Sequence, residues 1–96
     1  MPHYFIAQIK IHDKEEYQKY LEGFDVVFDQ YNGTVLAVDD NPVVLEGIWP
    51  LPRTVVIRFE TESDFYAWYN SAGYQDLIAI RQRAAEGNVV LVKGEE

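Results

Sequence analysis

The chain contains no cysteine. That removes disulfides, thiolate metal ligands and thiol nucleophiles together. It is also short of basic side chains. Eight Lys and Arg stand against sixteen Asp and Glu, a net charge of −8, and the basic residues form no run or stripe. Such a surface repels a phosphate backbone, so no nucleic-acid partner is expected. No apolar run approaches the roughly 18 residues needed to span a bilayer, so no membrane partner is expected either. The opening MPHYFIAQIK has no basic lead and turns polar at Gln8, unlike a secretory signal. The expected location is therefore cytoplasmic, and the sequon-like NGT at Asn32 falls to chance.

Histidine is scarce as well. His3 and His12 bracket one predicted strand and lie about 30 Å apart along it, so they cannot share a metal ion within one chain. Neither a metal nor a cofactor is expected. Ser63 and Ser71 lack the flanking glycines of a nucleophile elbow.

Aromatic residues are plentiful: seven Tyr, five Phe and two Trp in 96 residues. Aromatics with a polar tip collect in cores, interfaces and ligand pockets, and this many suggests more interior than one small monomer offers. The length is that of one domain, residues 1–96.

HYFIAQIKI alternates as a strand, with Phe5, Ala7, Ile9 and Ile11 on its greasier face. Asp13 then caps a helix, with Glu16 placed as in a capping box. Tyr17, Tyr20, Leu21, Phe24, Phe28 and Tyr31 recur along it at three- and four-residue steps, until Asn32–Gly33 ends it. Gly23 sits inside this stripe, at a propensity cost of about 1 kcal/mol. TVLAVDD, VVLEGIW and RTVVIRFE read as three β-runs separated by DDNP and PLP turns. Thr61 or Ser63 caps the next helix, and Ser71 opens a second helical piece carrying Tyr74, Leu77, Ile78 and Arg81 on one stripe. Glu86–Asn88 stops it, and VVLVKG closes the sheet.

The order β-α-β-(β)-β-α-β is the split βαβ arrangement of a ferredoxin-like α+β fold: an antiparallel sheet with two helices on one face. The other face also carries apolar residues such as Ile6 and Val56, which a second copy would cover. A homodimer built on sheet faces and the Val43–Trp49 extension is the expectation.

YFIAQIKIHDKEEYQKY, LEGIW followed by an Arg, AWYNSAGYQDLIAIRQRAA and LVKG resemble the DUF1330 family, within the dimeric α/β-barrel superfamily. The resemblance covers nearly the whole chain, and its most specific blocks run from Val44 to Trp49 and from Trp68 to Arg81. The family commonly has a Pro after the Ser at the second helix start, where this chain has Ala72. Membership implies a dimer with a cavity between sheet and helices or between sheets. The superfamily includes cofactor-independent monooxygenases, haem-degrading enzymes, lactone isomerases and members without known chemistry, so the resemblance fixes fold far more than function.

Two candidate sites remain. Glu46, a carboxylate inside an apolar run beside Gly47, is read as an ion-pair partner, a solvated edge residue or a raised-pKa acid–base group. The ion pair is favoured, at least partly buried, with Arg81 as partner ahead of Arg53. On the helical side, Trp68, Tyr69, Ser71, Tyr74 and Arg81 put polar tips on an apolar surface. They form either a satisfied core stripe or the wall of a ligand pocket in which Arg81 holds an anionic group. The functional expectation is a protein that binds a small anionic organic molecule, as a cofactor-independent oxygenase or isomerase. The alternative is a non-catalytic dimeric module.

Overall fold

In the computed structural model, which describes residues 1–95, the strand β1 (His3–Ile11) lies inside a four-stranded sheet of order β2-β3-β1-β4. The others are β2 (Gly33–Asp39), β3 (Arg53–Phe59) and β4 (Ala85–Lys93), and every neighbouring pair runs antiparallel. The helices α1 (Lys14–Phe28), α2 (Glu62–Tyr69) and α3 (Ala72–Ala84) pack against one face. This is the ferredoxin-like α+β fold.

Local chemistry sets the element ends. The Asp13 side chain accepts from the Glu16 backbone N–H, Thr61 accepts from that of Asp64, and Ser71 accepts from that of Tyr74. Ser71 thus splits the second helical region into α2 and α3, as its position in the sequence suggests. Strand alternation supplies the core: His3, Phe5, Ala7 and Ile9 of β1 are buried under the helices, while Tyr4, Ile6 and Gln8 face outward and are half-buried. Trp68 is the hub, fully buried, with the rings of Phe5, Phe28 and Phe59 each 5.5 Å away. Removing a buried aromatic of this kind costs about 3–5 kcal/mol.

α1 and α3 run against one another with glycine at the contact. A Cβ on Gly23 would lie 2.6 Å from Leu77 Cδ2, which explains a glycine inside an otherwise apolar helical stripe. Outside this contact, Arg83 bonds Glu16 across the two helices at 3.0 Å.

Three expectations are corrected. α1 ends at Phe28, capped by Asp29, so Tyr31 lies beyond it. α3 ends at Ala84, ahead of Glu86–Asn88, and those residues are part of β4, which begins at Ala85 and carries Glu86 and Gly87 opposite Lys10 and Ile9. The third correction is larger: Val43–Trp49 is not a strand. Pro42, Pro50 and Pro52 lack the N–H a ladder needs, and Gly47 turns the backbone with φ +81°. The segment is an exposed arm in which Val43, Leu45 and Ile48 are each at least 85% accessible.

β2 contains one irregularity that orients the site. Val35 pairs with Ile57, but Ala37 pairs with Val56 and Val38 with Val55, leaving Leu36 as an extra residue. Val35 and Val38 therefore both face the helices, and Asp39 turns outward beside Thr54.

Candidate functional site

Along the middle of α1 the helices and sheet do not close on one another. A cavity of about 370 Å³ remains beneath Tyr17, Tyr20 and Phe24, above Ala7, Ile9 and Val55. Its exposed lining residues, Leu21 and Asp25 of α1 and Val35 and Val38 of β2, mark a mouth between those two elements.

Two arginines reach into this mostly apolar space, each beside a tyrosine ring of α1. The Arg53 guanidinium lies 5.7 Å from the Tyr17 ring centre, and that of Arg81 lies 6.0 Å from the Tyr20 ring centre. Their electrostatic situations differ. Arg53, at the start of β3, is paired with Asp40. Burial lowers its pKa, but the bonds to Asp40 and Tyr17 outweigh that and hold it above the ordinary arginine value. Arg81 is only 6% accessible, and among the described residues it has neither a carboxylate partner nor a hydrogen bond; its Nε is sealed from solvent. A buried charge without a counterion costs several kcal/mol. Gly87, opposite Ile9, leaves the room it needs: a Cβ there would sit 3.1 Å from Arg81 Nη1.

Beside Arg81, the hydroxyls of Tyr20 and Tyr74 bond at 2.6 Å. Burial raises both phenols above the ordinary tyrosine value, Tyr20 well above it. At neutral pH they are uncharged donors. The described residues include no group of three or more His, Asp or Glu side chains able to hold a metal ion.

Of the pocket residues read from the sequence, Tyr74 and Arg81 come together at the cavity. Trp68, Tyr69 and Ser71 do not line it. Trp68 is core, Tyr69 packs against that core, and Ser71 caps α3 while its hydroxyl donates to the Trp68 carbonyl at 2.7 Å. The expected Glu46–Arg81 ion pair is not formed: Glu46 is exposed on the arm, in a separate shallow hollow with Val44 and Trp49. Because the arm leaves the sheet, Glu46 lies away from the space under α1 of its own chain.

Tyr17, Tyr20 and Arg53 also line the cavity, where sequence reasoning places the tyrosines only on a helical stripe and Arg53 only as a partner for Glu46. Their signal was phase. Arg53 alternates with the inward-facing Val55, Ile57 and Phe59, and two tyrosine hydroxyls sit on the apolar stripe of α1.

The family model for a domain of unknown function, DUF1330, matches residues 2–95. The chain belongs to this family. DUF1330 membership agrees with the ferredoxin-like architecture, and solved structures repeat it. A protein of unknown function from Rhodopseudomonas palustris superposes with a TM-score of 0.79 at 16% identity, over 99% of this chain and 83% of that one. SnoaB, a cofactor-independent oxygenase from Streptomyces nogalater, gives 0.66 at 11% identity, over 99% and 94%. A dimeric ferredoxin-like protein of unknown function from Thermobifida fusca gives 0.65 at 14%, over 98% and 92%. No curated protein matches the chain. At these identities the likeness carries the fold, and within the DUF1330 chain the cavity must be read from its own residues.

Proposed function

We propose that this protein binds a small anionic organic molecule in the cavity under α1. The observation that carries the reading is Arg81: a buried guanidinium without a counterion, facing an apolar space large enough for a ligand. A bound anion would supply the missing charge, and the neutral Tyr20–Tyr74 pair would donate its one free O–H to it. Such a donor set also stabilises an oxyanion as it develops. That supports chemistry on an enolate or carboxylate of the cofactor-independent oxygenase or isomerase type, and SnoaB has the same fold.

Assembly as a homodimer belongs to this proposal. Ala37, Val56, Ile6 and Val90 are in register across all four strands on the face away from the helices, an apolar row between more polar ones. Together with the apolar arm at Val43–Trp49 it offers a surface that a second copy would cover. The single-domain organisation and a cytoplasmic location are part of the same reading; no helix among the described residues is long and apolar enough to cross a membrane.

A thermal-shift screen with aromatic acids, lactones and their neutral analogues tests the ligand class. Acids should raise the melting temperature and their neutral analogues should not. Stabilisation by neutral analogues alone would overturn the reading.

A further inference from the structure

We infer that the ligand's head group is a single carboxylate, gripped by Arg81 and the Tyr20–Tyr74 pair, on a body of one or two fused rings. This deepens the small-anion reading above and rests on it.

At the inner end of the cavity the donors outnumber the acceptors. Arg81 brings its guanidinium N–H groups, none with an acceptor among the described residues. The two phenols hold two hydroxyl hydrogens, and their mutual bond uses one. One O–H is left to point at a ligand. A head group made of N–H donors, such as an amine, would leave the guanidinium N–H groups unmatched and would find only the phenol oxygens as acceptors.

Charge then selects among acceptors. Arg53 is balanced by Asp40, so one positive charge is left to neutralise. A carboxylate balances it. A phosphate monoester carries about −1.5 to −2 at neutral pH and would bury excess negative charge. It must also enter past Asp25 at the mouth of a chain whose net charge is −8. Shape agrees with charge, because the planar fork of a guanidinium matches two carboxylate oxygens side by side.

The rest of the cavity describes the body. Phe5, Ala7, Ile9, Phe24, Val55 and Ile57 offer no side-chain polar atom to it. Its volume of about 370 Å³ lies near the small end of the usual range for ligand sites. A compact apolar ring system fits both facts.

Titration calorimetry with two matched series decides the matter: 2-naphthoate, 2-naphthyl phosphate and 2-naphthalenemethanol, beside benzoate, phenyl phosphate and benzyl alcohol. In at least one series the carboxylate should bind ten-fold or more tightly than both partners. Arg81→Met should abolish that preference, so that acid and alcohol bind alike. Arg81→Lys, which keeps the charge and loses the fork, should weaken the acid about ten-fold. Gly87→Ala, which crowds Nη1, should weaken the acid and leave the alcohol unchanged. A phosphate bound as tightly as the carboxylate would overturn the inference while leaving the small-anion reading intact. So would a carboxylate preference that survives in Arg81→Lys and Arg81→Met. Binding of the alcohols alone, or of no probe at millimolar concentration, would overturn both.

Discussion

The hydroxyls of Tyr20 and Tyr74 meet at 2.6 Å although they come from different helices, 54 residues apart in the chain. The bond ties α1 to α3 above the cavity, and among the described residues it is the one hydrogen bond that either largely buried hydroxyl makes. Removing one hydroxyl leaves the other stranded. Tyr20→Phe should therefore lower stability by about 1–3 kcal/mol, the cost of an unsatisfied buried polar group. The double change Tyr20→Phe with Tyr74→Phe should recover most of that loss. Urea denaturation of the three variants measures it; a double variant no more stable than the single one would contradict the account.

Alkaline pH probes the same pair. Both phenols are raised by burial, so the unfolded chain loses its tyrosine protons first, near pH 10, while the folded chain keeps them. The unfolded state then binds fewer protons, and stability falls as pH rises above about 10. The contribution is fully present below that value. The slope of stability against pH between about 9.5 and 11 should be shallower in the double phenylalanine variant.

Arg81 should cost stability in the empty protein. Replacing an uncompensated buried cation by Met, of comparable reach, removes the desolvation penalty. The empty Arg81→Met protein should melt higher than the wild type, by an amount corresponding to about 1–3 kcal/mol. A lower melting temperature would mean that the guanidinium is satisfied and that no counterion is needed.

The assembly proposal has its own test. Light scattering at micromolar concentration should return twice the 11.1 kDa chain mass. Val56→Asp places a charge in the middle of the apolar row on the open face and should shift the species toward monomer, as should Ile48→Asp on the arm. A wild-type chain that stays at 11.1 kDa would remove the dimer from the proposal.

Much of this fold could be read from the sequence because its signals are periodic and local. The alternation of β1, the three- and four-residue steps of α1, and the caps at Asp13, Thr61 and Ser71 each act within a few residues. The arm misled because β-propensity in VVLEGIW says nothing about a pairing partner, and the flanking prolines with a left-handed Gly47 outweigh it. The site was legible only in part, for a different reason. Tyr74 and Arg81 share a stripe and were found together. Arg53 and Tyr20 reach the same cavity from β3 and α1, and nothing along the chain announces that convergence. Glu46 drew attention as a charge in apolar company, yet that company is itself in solvent.

The extra residue at Leu36 decides which side chains of β2 reach the cavity. It rotates the end of β2 by one side-chain position, so Val38 faces inward, Asp39 faces outward, and Asp40 falls beside Arg53. Paired without that slip, Leu36 would lie opposite Val56, Ala37 opposite Val55, and Asp39 on the inward side opposite Arg53. The Asp39 carboxylate would then join the lining of the cavity. One bulged residue thus keeps a second carboxylate out of a chamber lined by two arginines.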